Sequence, residues 1–128
     1  MKKIWFAVIY FFCVEKDLSG QTHLLHHEDG LTINYKWDEG KSGENLLLIE
    51  VVNDNDVAVD FELSLFLMKG IQVVESTERI SICAGAGKTL KPRSSGLVFD
   101  VKSSAADLDR IEIDDLNLIK ANRKTCHL

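Results

Sequence analysis

Along most of the chain apolar and polar residues alternate one by one, the period of a strand with one buried face. In LTINYKWD, Leu31, Ile33, Tyr35 and Trp37 fall on one side, and Thr32, Asn34, Lys36 and Asp38 on the other. A polar turn, Glu39 to Asn45, leads into NLLLIEVVN, whose denser apolar content predicts a more fully buried strand over Asn45 to Asn53. Asn53-Asp54-Asn55-Asp56 then breaks the chain with side chains that bond their own backbone and tolerate left-handed conformations. The clearest strand follows. Val57, Val59, Phe61, Leu63, Leu65 and Leu67 share one face, with Asp60, Glu62 and Ser64 opposite. Lys69-Gly70 closes a tight turn that sends the segment from Ile71 to Cys83 back antiparallel.

The rest of the chain is more broken. Ala84 to Ser95, with two glycines, a proline and three basic groups, is expected as a loop holding at most a short strand. Gly96 to Val101 is a further strand, and Lys102 to Asp109 accommodates one helical turn with a serine cap. In RIEIDDLNLIKA, Ile111 and Ile113 share a face, and Leu116 and Leu118 resume after one extra residue. This phase slip at Asp114-Asp115 predicts a bulge, because a single inserted residue flips the alternation that follows. Six or seven short strands, turns about every 8–12 residues and almost no helical period predict an all-β fold. Its expected form is an antiparallel two-sheet sandwich, immunoglobulin-like, of about seven strands. A small open barrel is the alternative.

The first residues do not fit that pattern. MKK precedes an unbroken apolar run of eleven residues, Ile4 to Val14. A membrane-spanning helix needs about 17–25 residues. A basic start with a short apolar centre is instead the mark of a secretory signal peptide, with cleavage expected between Gly20 and Gln21. The chain then divides into a signal peptide (1–20), an N-terminal arm (21–30) and a β-sandwich domain (31–128), without repeats or internal linkers. A buried N-terminal strand is the alternative for the apolar run. Periplasmic or extracellular location follows from the signal peptide, with no membrane span after processing.

Export changes the charge and the cysteine count. Removing residues 1–20 takes away three lysines and two acidic residues, which leaves 12 basic against 18 acidic and a net charge of −6. An acidic surface without a Lys/Arg cluster repels phosphate backbones, which argues against nucleic acid, and it offers nothing to an anionic membrane. Cys13 departs with the signal peptide and lacks the small residues of a lipoprotein box before it. Cys83 and Cys126 remain, an even pair in an oxidising compartment, and are expected to form a disulfide.

Candidate chemistry is sparse. CAGAGKTL (Cys83 to Leu90) ends like a phosphate-binding loop, but the first glycine of that motif falls on Ile82. Pro92 follows soon after Thr89 and breaks the helix such a loop needs. The string is expected to be a turn, with Gly85 and Gly87 serving backbone angles that a side chain resists and Lys88 and Thr89 on its solvent side. No nucleotide and no cofactor is implied.

His23, His26 and His27, beside Glu28 and Asp29, are candidate transition-metal ligands. With Gln21 first, His23 is the third residue and suits a square-planar Cu(II) or Ni(II) site. Asn53 to Asp56 with Asp60 has the oxygens of a calcium-loop fragment but not the bidentate glutamate, so it is taken as a turn. The acidic run Asp107, Asp109, Glu112, Asp114 and Asp115 is taken as a solvated strand face. Nothing fixes or buries a general acid–base pair there, and no serine sits in a nucleophile elbow. Tyr35 and Trp37 are expected in the core rather than on a sugar-stacking platform.

The succession of an Asn-rich turn at Asn53 to Asp56, a long alternating strand, a turn glycine at Gly70 and Gly87-Lys88-Thr89 before another strand resembles small exported bacterial domains. These are immunoglobulin/fibronectin III-like sandwiches, many without assigned roles. The likeness covers Leu31 to Leu118, with Ala86 where those domains usually carry proline. It implies a fold and a location and carries no catalytic residues. The expectation is a non-enzymatic, monomeric binding or accessory module whose partner is an envelope protein or glycan. A small metal-binding protein using the N-terminal histidines is the alternative.

Overall fold

Period-two burial sets the face of each central strand. The computed structural model describes residues 21–103 and 105–126, so the expected signal peptide, Cys13 included, lies outside the described residues. Among those described, nine strands form two antiparallel sheets packed face to face. They are β1 (His23–Glu28), β2 (Leu31–Glu39), β3 (Asn45–Asn53), β4 (Val59–Lys69), β5 (Gln72–Ser76), β6 (Ile80–Ala84), β7 (Thr89–Leu90), β8 (Val98–Val101) and β9 (Arg110–Lys120). A helical turn, Pro92–Ser95, separates β7 from β8, and a 3-10 turn, Ala105–Asp107, precedes β9.

The first sheet runs β1-β2-β3, and β7 and β8 share the far flank of β3. β7 lies opposite Val51 and Val52, and β8 opposite Asn45 to Leu48. The second sheet centres on β4. β9 runs along one flank from Val59 to Met68, while β6 and β5 divide the other. The odd-numbered residues of β3 and β4, from Leu47 to Val51 and from Val59 to Leu67, face one another and are essentially inaccessible. Leu31, Ile33, Leu97 and Val101 complete the core from the first sheet, and Ile80, Ile82, Ile113 and Leu118 close it from the second. Tyr35 and Trp37 pack against this core as expected, half-buried at its margin.

Three features differ from the sequence expectation. Residues 21–30, expected as an arm, contain the edge strand β1. Asp29 (φ 49°) and Gly30 (φ 77°) form a two-residue hairpin loop with Glu28 opposite Leu31. Positive φ at both positions is what a type I′ turn requires, and Asp-Gly supplies it at low cost. Second, the about seven strands expected are nine. The segment after Gly70 breaks into β5 and β6, where Thr77 patches the gap: its N–H donates to the Leu65 carbonyl and its Oγ1 accepts from the Leu65 N–H. Third, Gly85 is not left-handed; of the two glycines in GAGKT only Gly87 (φ 65°) is. The slip in β9 lies where the alternation places it. Ser64 pairs Asp115 and Leu65 pairs Ile113, leaving Asp114 as the extra residue.

Past β9 the chain crosses the start of β4. Ala58 N–H donates to Arg123 O at 2.7 Å, and Ala86 N–H donates to Lys124 O at 2.8 Å. Cys126 then bonds to Cys83, with Cα atoms 5.7 Å apart. Ile80, Ile82 and Ala84 face the core, so Cys83 points to the outer side of the second sheet. The bridge closes a loop across 43 positions, which in the chain-entropy account stabilises the domain by about 4 kcal/mol. Replacing both cysteines by alanine is expected to lower unfolding stability by about 2–4 kcal/mol in urea titrations. The non-reduced wild-type protein should take up no thiol reagent at either position.

Candidate functional site

β3 presents its odd positions inward, and the last of them is Asn53, fully buried. A buried amide must find partners for all its polar atoms, and Asn53 finds them on two segments, its own turn and the end of β6. Its Nδ2 group lies within 3.0 Å of the carbonyls of Val57, Ala84 and Gly85. Its Oδ1 accepts from the Asn55 backbone N–H and from Asn55 Nδ2, both at 2.9 Å. Asn55 Nδ2 also donates to Asp29 O at 2.8 Å, and Asn55 O accepts from Gly87 N–H at 3.0 Å. The Asn53–Asp56 turn, the β1–β2 hairpin and the GAGKT turn are thus one network. In the supposed calcium fragment, Asn53 Oδ1 and the Asn55 main-chain carbonyl are occupied by protein donors.

The same network disposes of the phosphate-loop likeness. The N–H groups of Ala86, Gly87 and Lys88 donate to Lys124 O, Asn55 O and Gly85 O, so they turn into the protein. The chain continues into β7 and not into a helix. Lys88 and Thr89 are exposed, as the turn reading expects.

The histidines lie together on β1 but not around one point. His23 stacks on Tyr35 with ring centres 5.1 Å apart. His26 Nε2 meets Glu28 Oε1 at 2.9 Å, and His27 Nδ1 meets Thr32 Oγ1 at 2.8 Å. Among the described residues no three His, Cys, Asp or Glu side chains are grouped to hold a metal ion.

Acidic groups are spent in exposed pairs on the outer faces. Arg79 sits 3.1 Å from Asp115 and 3.9 Å from Glu62, Arg123 lies 3.3 Å from Asp60, and Arg93 lies 2.8 Å from Asp38. Such exposed pairs add little to stability in water. The Glu39 backbone N–H, which donates to Asp38, is the main reason that carboxyl lies below its ordinary range, and Arg93 adds to it. Burial raises the Tyr35 hydroxyl above its ordinary value. Glu112 and Asp114 both face solvent on β9, as expected.

Glu75 on β5 is different in kind, and nothing in its sequence neighbourhood singles it out. Its carboxylate accepts from the Lys102 N–H at 3.0 Å and from the Ser103 N–H at 2.9 Å, with the Ser103 hydroxyl at 3.0 Å. It therefore joins an edge of the second sheet to the end of β8 in the first. Burial works against its charge, but those donors and the Lys102 charge together outweigh burial and hold the carboxyl below its ordinary value.

Three depressions stand out among the described residues. One, of about 310 Å³, is a shallow saddle on the outer face of the second sheet, with Asp60, Glu62, Cys83 and Ile119 around it. A second, of about 300 Å³, runs between the two sheets on the side where β5 and β6 face β8. The third, of about 110 Å³, lies over the first sheet between Asn34, Glu50 and Lys91. The lateral cleft is the candidate site, because its walls come from both sheets, Glu75 to Glu78 and Ile80 on one side and Val98 to Val101 on the other.

Asn53→Ala leaves buried carbonyls without donors and is expected to cost about 2–4 kcal/mol in chemical denaturation. Lys88→Ala should stay within about 0.5 kcal/mol of wild type. Because Glu75 is shifted downward, its contribution is present above its ordinary value of 4.5 and is lost as pH falls through the lower folded value. The stability gap between wild type and Glu75→Gln should be about 1 kcal/mol at neutral pH, discounted for solvent exposure. It should close on acidification, which urea titrations at neutral and acidic pH will read.

No protein-family model matches the chain, and neither the curated proteins nor the solved structures yield a significant match to it.

Proposed function

We propose that this chain is an exported, non-enzymatic, immunoglobulin-like sandwich that acts as a binding or accessory module in the bacterial periplasm or at the cell surface. An envelope protein or glycan is the proposed partner. The observation that carries the reading is the Cys83–Cys126 disulfide. Such bridges persist in oxidising compartments and are rare in the cytosol, and this one accords with the basic and apolar start of the chain.

Strand neighbours support the immunoglobulin-like assignment. That arrangement orders its strands A-B-E-D in one sheet and C-F-G in the other. Here β2, β3 and β7/β8 take the places of A, B and E, and β4 and β9 those of C and F. β5 and β6 stand beside β4 as an added strand. The places of D, beside β8, and G, beside β9, hold no strand among the described residues. The use of polar groups supports a binding role: the buried polar residues, Asn53 and Ser64, bond within the fold. Recognition then falls to loops and sheet edges, which a rigid scaffold positions.

The reading is tested by producing the full-length chain in a bacterium with a C-terminal tag. The expected product is periplasmic, begins at Gln21 and resists thiol labelling until reduced. An unprocessed cytoplasmic chain with two reactive thiols would overturn it.

A further inference from the structure

Sheet edges attract other strands unless they are blunted, and most edges here are. β1 carries a register shift between Leu24 and His26, β5 one opposite Leu67 and Met68, and β9 the bulge at Asp114. Apart from the two-residue β7, the edge strands paired without a shift are β6 and β8. Both flank the lateral cleft.

The outward main chain of β8 is fixed by register. Ile49 N–H donates to Leu97 O, so Phe99 and Val101, in phase with that carbonyl, direct their amides and carbonyls toward β3, while the Leu97 amide turns back to Pro92 O. Val98, Asp100 and Lys102 direct theirs away. At Lys102 the Glu75 carboxylate caps that outward edge. At Val98 and Asp100 no described strand lies alongside. An extended segment laid there would bond these two residues. Its inward side chains would meet Phe99 and Ile80, both packed on the core. Its outward side chains would lie beside the exposed Asp100, and exposed Glu78 adds negative charge on the opposite wall of the cleft. A volume of about 300 Å³ suits a few side chains of such a segment and sits at the lower bound, about 300–1,000 Å³, of small-molecule sites.

We propose that β8 is a docking edge for an extended segment of a partner protein in which apolar and basic residues alternate, added as a strand in the lateral cleft. The main chain supplies affinity, Phe99 and Ile80 select apolar side chains on one face, and Asp100 selects positive charge on the other. This deepens the binding-module reading and rests on it. Binding at β8 can nevertheless succeed or fail whatever the export experiment returns, so the two are separable.

The test uses the protein produced from its full-length coding sequence in an oxidising compartment. It is titrated with a blocked peptide of alternating lysine and valine, seven residues long, and with its glutamate–valine counterpart, followed by amide NMR. The expected result is saturable shifts at Val98 to Val101 and Thr77 to Ile80 with the lysine peptide and none with the glutamate peptide. Asp100→Pro removes an outward N–H without touching the ladder to β3, and should weaken binding at least tenfold with the melting temperature preserved. Asp100→Lys, which keeps the main chain, should reverse or abolish the charge preference. Shifts confined to the β1 or β9 edges, equal binding of both peptides, or Asp100→Pro binding like wild type would overturn the proposal. So would concentration-dependent dimerisation through the same amides, which would make a second copy of the chain the occupant.

Discussion

The burial of one amide, Asn53, organises the end of the sandwich where most of the connections meet. It occupies the inward phase of β3 just where the apolar run stops. A polar group cannot be left there without partners, at a penalty of roughly 1–3 kcal/mol for each unsatisfied group. The carbonyls of Val57, Ala84 and Gly85, and through Asn55 the β1–β2 hairpin and Gly87, are drawn in to meet it. The C-terminal tail passes beneath the same turn, bonded to Ala58 and Ala86, before the disulfide fastens it to β6. Two long-range constraints, one polar and one covalent, therefore act at one end.

The opposite end is held by charge and main chain together. Asp109 accepts from the Gly70 N–H, and the Arg110 guanidinium donates to the Gly70 carbonyl, so the turn between β4 and β5 is braced by the start of β9. Glu75 reaches across to Lys102 and Ser103. These contacts are solvent-accessible and individually weak, which leaves the hydrophobic interior of β3 and β4 as the main cohesive element. Between the two braced ends, the lateral cleft is the place where the sheets part.

Much of this was legible from the residues. The inward set of β4, the bulge at Asp114, the pairing of Cys83 with Cys126 and the turn nature of GAGKT all follow from local alternation, cysteine count and helix-breaking chemistry. Other features are just as local. Asp29-Gly30, followed by an alternating strand, is a strong hairpin signal that turns the expected arm into β1. Asn53 falls in phase with Leu47, Ile49 and Val51, which marks it as an inward polar residue. Glu75 gave no signal, because the groups it binds lie 27 and 28 positions away in sequence.

The sequence by itself determined which faces of β2, β4 and β9 are buried, where the chain turns and which cysteines can pair. Those properties depend on neighbours a few residues apart, or on simple counting. The tertiary structure alone decided that β7 and β8 share one flank of β3, that β5 and β6 share one flank of β4, and which edges confront each other across the cleft. Strand partnership is set by contacts distant along the chain, and alternation of period two is equally compatible with many pairings.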